Sequence, residues 1–258
     1  MDGIGVISDK PFGVEFKHVT FSYPNSSFAL RDISFRISAG ERVAIVGENG
    51  AGKSTIVKLL LRLHDVQSGE ILINGVNIND YNLLELRNAI GVAFQNTNIY
   101  AFSMDENIGL YDNSTEKAIA EAKKAFGLDL IVAKNGASND STLTREFDDN
   151  GIVLSGGEAQ KVAVARTTTK RFSLLMLDEP SAALDPMAEY NLNQSLFERS
   201  KETTTIMIAH RLSSVRNMDK ILVVNNGKLI ESGTHDELMK VQGLYSEMFL
   251  KQAENYQI

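Results

Sequence analysis

The amino-acid sequence predicts an α/β fold with a mostly parallel sheet, an antiparallel β part ahead of it and a helical part inserted within it. Three observations carry that reading. The last third alternates short apolar runs, at residues 174–177 and 205–209, with a helical pattern over 185–199, and strands alternating with helices imply parallel pairing. The first third reads as strands joined by tight turns. The middle, residues 98–166, carries mainly helical patterns. At 258 residues the chain can bury a sizeable core, and it is read as a single domain over 1–258.

Taken in order, Ile33, Phe35 and Ile37 alternate with polar residues as a half-buried strand does. Residues 42–46 form a short apolar run that enters a glycine-rich loop, and a helical pattern follows over 53–63. Residues 71–78 read as a hairpin on Asn74-Gly75, a pair suited to a type I′ turn. A helix over 116–126 is closed by Gly127. The helix over 185–199 has Asp185 as its cap and Pro186 at its first position. A second Asn-Gly hairpin turns at Asn226-Gly227, and Thr234 with Glu237 forms a capping box that opens a C-terminal helix. The expected parts are an antiparallel β part at about 12–40 and 66–80, a helical part at about 97–166, and a core from the remainder.

Composition narrows the function. There are 26 Lys and Arg against 33 Asp and Glu, a net charge of −7, which argues against a nucleic-acid partner. The chain has no cysteine, hence no disulfide framework and no Cys-based metal site. No stretch reaches the roughly 18–20 apolar residues that cross a bilayer. The richest run, 56–63, is broken by Lys58 and Arg62. The N-terminus lacks the basic and apolar regions of a signal peptide. A membrane role would therefore need a spanning part outside this sequence.

Gly47, Glu48, Asn49, Gly50, Ala51, Gly52, Lys53 and Ser54 match G-x-x-x-x-G-K-[ST], the Walker A motif. Glycines let the backbone fold closely round a polyphosphate, and the helix that follows aims its positive end at the same anion. Lys53 can reach terminal phosphates and the Ser54 hydroxyl can ligate Mg²⁺. The required context, an apolar strand before and a helix after, is present. Residues 174–179 are an apolar strand ending in two carboxylates. Asp178 suits the Mg²⁺ shell, and Glu179 suits a general base toward water.

Ser155 and Glu158 form a capping box, which accounts for both residues locally. It does not account for Gly156 and Gly157, two consecutive glycines in a first helical turn, where they cost stability. Glycine there admits close approach to a helix N-terminus, a place suited to an anion. Tyr23, Gln95 and His210 are unremarkable by themselves, since a lone histidine at a strand end is ordinarily structural.

With these motifs together, nearly the whole chain, from about residue 12 to 249, resembles the nucleotide-binding domain of ABC transporters. The resemblance implies a P-loop NTPase (RecA-like) core with an N-terminal antiparallel β subdomain and an inserted helical subdomain. Tyr23 resembles the A-loop aromatic that stacks on adenine. The loop from Gly47 through Thr55 resembles the Walker A motif, and Gln95 the Q-loop glutamine that reaches Mg²⁺ and senses the γ-phosphate. The signature motif is matched by Leu154, Ser155, Gly156, Gly157 and Glu158. Asp178 and Glu179 resemble the Walker B aspartate and the catalytic glutamate, residues 181–185 the D-loop with Asp185, and His210 the switch histidine. ATP and Mg²⁺ are the implied cofactors. The implied catalytic groups are Glu179, His210, Lys53 and Gln95, and the implied metal ligands are Ser54, Gln95 and Asp178.

Residues 144–148, with Glu146 at the acidic position, resemble the exporter x-loop. Residues 96–108, 209–213 and 233–238 are also similar to exporter segments. An exporter domain is expected to follow a transmembrane domain in a longer protein, at the cytoplasmic face of the cell membrane. It is expected to dimerise head to tail with a second nucleotide-binding domain around two MgATP. One departure is Glu158, where the family most often has Gln; residues 159–161 also differ from the common run. Two alternatives compete: a separate ATPase subunit of an importer, which would lack the x-loop resemblance, and a soluble non-transport ABC ATPase. Tandem signatures or a missing Glu179 would favour the latter, and the sequence has neither.

Overall fold

The computed structural model describes residues 7, 10–24, 28–95, 97–111, 114–136, 138, 140–180, 184, 186–199 and 202–254. In chain order the elements begin with β1 (Val14–Ser22), β2 (Phe28–Ile37), β3 (Arg42–Val46), α1 (Lys53–Leu60), β4 (Ser68–Ile73), β5 (Val76–Asn77), α2 (Leu83–Asn88) and β6 (Ile90–Ala93). Helices α3 (Met104–Ile108), α4 (Glu116–Phe126), α5 (Leu128–Lys134) and α6 (Gly156–Arg166) follow. Then come β7 (Leu174–Asp178), α7 (Pro186–Arg199), β8 (Thr204–Ile208), β9 (Lys220–Asn225), β10 (Lys228–Gly233), α8 (His235–Val241) and α9 (Leu244–Glu254). Two compact units emerge: Met1–Gly91 with Phe172–Asp178 and Glu202–Ile258, and Val92–Arg171 with Glu179–Lys201.

The first unit holds an antiparallel sheet in the order β2-β1-β4-β5. In β1 the buried positions are Val14 and Phe16, then Val19 and Phe21, so the alternation changes phase once. A bulge between Phe16 and Val19 absorbs the extra residue and returns Val19 to the core face. The Asn74-Gly75 turn joins β4 to β5 with both central residues at positive φ, 51° and 82°, as a type I′ turn requires.

The main sheet runs β10-β9-β3-β8-β7-β6. Its central pairs β9/β3, β3/β8 and β8/β7 are parallel, and β10 joins β9 antiparallel through the Asn226-Gly227 turn. The runs 43–46, 174–177, 206–208 and 221–224 are buried throughout, as strands covered on both faces are. Helix α1 packs on β7. Because β3, β8 and β7 are neighbours and parallel, the segments after them leave the sheet at one edge. These are the glycine-rich loop, His210 and Asp178.

Two helices end otherwise than the sequence pattern suggests. Helix α1 stops at Leu60, three residues before the expected 63. Arg62 takes the left-handed conformation at φ 47°, Arg62 N–H donates to Leu59 O and Leu63 N–H to Lys58 O. That is a Schellman closure with arginine where glycine is usual. The C-terminal helix is two helices, broken at Gln242 and Gly243. The Glu231 carboxylate accepts the backbone N–H of Leu244 and Tyr245 and so starts α9 anew. The Tyr245 hydroxyl meets His235 Nδ1 at 2.8 Å, and burial pushes the Tyr245 phenol up to about 12.

In the second unit α3, α4 and α5 pack on α6. Residues 140–155 form no helix, which narrows the expected helical stretch. Leu143 and Ile152 are buried anchors there, tied by Leu143 N–H to Phe102 O and Ile152 N–H to Thr142 O. The Arg145 Nε donates to Gly151 O at 3.0 Å, closing the turn between them.

The first unit is pinned near its N-terminus by one hydroxyl. Thr204 is fully buried; its Oγ1 donates to Phe12 O at 2.6 Å and accepts Gly40 N–H at 2.8 Å. Thr204→Val keeps the shape and leaves both backbone groups without that partner. Chemical denaturation followed by circular dichroism is expected to show a loss of about 1–3 kcal/mol, with Thr204→Ser nearly unchanged.

Candidate functional site

The glycine-rich loop is closed on itself. Lys53 is 6% exposed, and its Nζ donates to Gly47 O and Glu48 O, each at 2.9 Å. The ammonium is thus held inside the loop before any ligand arrives. Gly47 has φ 149° and Gly52 φ 105°. A Cβ on Gly47 would run into Val224 O, and one on Gly52 into Ala29 O, so the loop can lie this close to β9 and β2 only with glycine at both. Gly52 is the N-cap of α1 and offers no side-chain cap, leaving the first amides of the helix to another acceptor. Glu48, Asn49, Gly50 and Ser54 are exposed, whereas Ala51 and Thr55 are buried.

Tyr23 stands beside this helix. Its hydroxyl is 3.3 Å from Thr55 Oγ1, and Lys58 Nζ lies 5.4 Å from the ring centroid. Phe21 and His64 meet the ring edge-on at 4.9 and 5.3 Å. Four neighbours thereby fix an aromatic plate next to the phosphate loop. Asp178 ends β7 and is 6% exposed, and His210 follows β8 and is exposed.

The second unit carries the other candidates. Gln95 Nε2 donates to Glu179 Oε2 at 2.9 Å. Glu179 sits at φ 50°, in the left-handed region where a residue with a Cβ is strained. Gln160 of α6 reaches the same place: its Nε2 donates to Glu179 O at 3.5 Å and its Oε1 accepts from Thr97 Oγ1 at 3.2 Å. Ser155 caps α6. Its Oγ accepts Glu158 N–H and donates to Glu158 Oε2, which also accepts Ser155 N–H at 2.8 Å. Gly156 and Gly157 occupy the first turn, with Gly156 exposed. Asp185 and residues 181–183, the expected D-loop, lie outside the described residues, as does residue 96.

A family model described as ABC transporter matches residues 30–182, more than half of the chain. The chain belongs to the ABC transporter family. It is 39% identical over 246 residues to YgaD, an ATP-binding/permease protein of Bacillus subtilis (strain 168) whose name assigns it to multidrug export. It is 37% identical over 251 residues to the ATP-dependent lipid A-core flippase of Escherichia coli (strain K12). These alignments cover 94% and 96% of this chain, and the chain spans 42% of the length of each relative. Among solved structures, a bacterial Atm1-family ABC exporter with ATP bound matches with a TM-score of 0.90 at 36% identity, over 97% of this chain and 44% of that one. The fold is that of an ABC ATPase domain.

For an ABC domain the donor set available to a metal is hard. Ser54 Oγ is exposed at the start of α1, and the Asp178 carboxylate closes the strand on which α1 packs. Oxygen donors with a single carboxylate suit Mg²⁺, which keeps waters and takes much of its shell from phosphates. The residues fit that ion. Among the described residues no three of His, Cys, Asp and Glu cluster as a cage of their own.

The sequence reading missed two side chains that touch these groups: Gln160, described above, and Gln252. The Gln252 carboxamide bonds the backbone on both sides of Arg211. Each acts across long sequence separations that no local pattern reports.

Glu158 yields a pH-dependent prediction. The Ser155 backbone N–H, ahead of the Ser155 hydroxyl and the Lys134 and Lys161 charges, holds its carboxyl below the ordinary 4.5. A depressed carboxyl stabilises the folded chain above the unfolded value, and that contribution is lost as pH falls through the folded value. Glu158→Gln keeps the capping acceptor and removes the charge. Its melting temperature is expected to lie slightly below the parent at pH 7, with the gap closing as pH falls below about 4.5. An equal gap at both pH values would remove the charge from the cap's stabilisation.

Proposed function

We propose that this chain is the ATP-hydrolysing motor of an ABC exporter, joined to a transmembrane domain in a longer protein and acting at the cytoplasmic face of the membrane. The observation that carries the proposal is the buried Lys53, held by its own loop at the edge where β3, β7 and β8 deliver their functional groups. Exporter relatives that fuse ATP-binding and permease parts support the coupling to transport.

In this reading Tyr23 stacks on adenine, and the loop amides of 47–52 with the N-terminus of α1 bind the phosphates. Lys53 exchanges its two carbonyls for phosphate oxygens. Ser54, Asp178 and Gln95 hold Mg²⁺, which supplies positive charge against the phosphates. Glu179 orients water and takes its proton, with Gln95 fixing the carboxylate beforehand. His210 contacts the γ-phosphate. Two chains close head to tail, and Ser155, Gly156, Gly157 and Glu158 of each face the nucleotide of the other. The double glycine of α6 leaves room for that approach, and the helix end provides the dipole. Asp178 and Glu179 are consecutive, so the metal shell and the base are supplied from adjacent positions of the chain.

Two substitutions divide binding from chemistry. Lys53→Ala is expected to weaken MgATP binding and abolish turnover. Glu179→Gln is isosteric and can still accept from Gln95, so binding should persist while turnover drops by about 10² or more. Near-normal hydrolysis by Glu179→Gln would remove the base from this residue.

A mixing experiment addresses the two-chain site. Ser155→Arg and Lys53→Ala subunits should each be inactive alone, yet regain hydrolysis when combined, because a mixed pair has one site with an intact loop and an intact signature. Mixed pairs that form, shown by cross-linking, without activity above the separate variants would defeat the head-to-tail arrangement.

A further inference from the structure

His210 leaves the sheet on an exposed stretch. Ala209 N–H still donates to Ile45 O, and Leu212–Val215 then turns as a short 3₁₀ helix. Between these, the backbone is bonded by a side chain from about 40 residues away as well as by Ser214, whose Oγ donates to Arg211 O at 2.7 Å. Gln252 Nε2 donates to His210 O at 2.8 Å and Gln252 Oε1 accepts Leu212 N–H at 2.8 Å. A primary amide offers the same donor and acceptor pair that one residue of a neighbouring parallel strand would. It therefore fixes the peptide on both sides of Arg211 and, with it, the direction in which the His210 side chain leaves.

The clamp stands on a firm base. Helix α9 is started by Glu231 at its first amides, and the fully buried Tyr245 is bonded to His235. Phe249 packs on the His235 ring at 4.9 Å between centroids. The Lys251 ammonium, held above the ordinary lysine range chiefly by its bond to Glu247, is stabilised as well by the Glu48 carboxylate.

We propose that Gln252 is a positioning residue for hydrolysis, orienting His210 through its backbone without touching nucleotide. The proposal rests on the reading of His210 as the γ-phosphate contact. Helix α9 is then a strut of the catalytic machinery as well as a structural cap on the unit. Loss of the clamp misaims His210 while leaving the aromatic plate and the phosphate loop intact, so it lowers kcat and spares nucleotide binding.

The test uses the whole chain with MgATP, below the melting temperature of each variant. Gln252→Met keeps the volume and removes both bonds. Gln252→Glu keeps the acceptor for Leu212 N–H and loses the donor to His210 O, so it remains informative if Met loosens α9. Both are expected to lower kcat by about 10- to 100-fold, the scale of a misplaced catalytic group, with KM and the fluorescent-ATP Kd within about threefold of the parent. Adding Gln252→Met to His210→Ala is expected to lower kcat no further. Parent-like kcat in both Gln252 variants, while His210→Ala loses turnover, overturns the clamp and leaves the His210 reading standing. A full additional loss in the double variant overturns it too, because Gln252 would then act by another route. Retained turnover in His210→Ala overturns the underlying reading of His210 itself.

Discussion

A lysine ammonium that is 6% exposed must find acceptors or lose its charge, and in this chain it finds them in the loop that carries it. Lys53 bonds Gly47 O and Glu48 O, which is possible only if the loop doubles back within six residues. That curl brings the backbone at 47 and 52 against Val224 and Ala29, where no Cβ fits. The neighbours are therefore as constrained as the loop. Gly227 N–H donates to Ala51 O, and Arg31 N–H donates to Gly227 O, so the β9–β10 turn sits between β2 and the loop and ties them together. Much of the first unit, including the antiparallel sheet and the C-terminal hairpin, serves to keep one cation in a small enclosure.

Glu179 is held on a comparable principle at smaller scale. A non-glycine residue in the left-handed region costs roughly 1–2 kcal/mol. Its neighbours hold it there: Gln95 bonds the carboxylate and Gln160 reaches its carbonyl. The strained backbone turns the carboxylate toward Gln95 and away from the path the strand would have given it. A carboxylate already oriented by an amide needs less reorganisation when it acts on water. Strain of this kind persists only where surrounding bonds over-determine it.

The legible parts of the sequence were those whose cause is local. The Asn-Gly turns at 74–75 and 226–227 formed as their residue types require, and the capping boxes at Ser155 and Thr234 appear with both bonds made. The strands 42–46, 174–178 and 204–208 are built round the apolar runs 43–46, 174–177 and 206–208. The overrun of α1 has a specific cause. Leu61 and Leu63 continue the apolar pattern, yet Arg62 adopts the left-handed turn that residue type gives no hint of. Residues 140–155, which form no helix, are held instead by Leu143 N–H on Phe102 O and Ile152 N–H on Thr142 O, bonds that periodicity does not register. The break before α9 depends on Glu231, and the grip on the His210 segment on Gln252. Both are long-range contacts of ordinary residue types.

Helix α6 shows how such long-range contacts organise the second unit. Its N-terminus is the Ser155 cap with two glycines, a surface open to close approach. Its middle carries Gln160, bonded to Thr97 and to the Glu179 carbonyl. Its last residue, Arg166, donates to Asn107 O and Asn98 O at 2.7 Å and lies 5.4 Å from the Tyr100 ring. The Nδ2 of the fully buried Asn107 in turn lies 3.0 Å from the carbonyl oxygens of Tyr100, Phe102 and Ser103, which share its two hydrogens. The exposed rings of Tyr100 and Phe102 thus hang from the far end of the helix whose near end presents the glycines. An 11-residue helix, hydrogen-bonded along its length, does not bend locally at small cost. The same helix thereby ties the loop that bears those rings to the Glu179 carbonyl through Arg166 and Gln160.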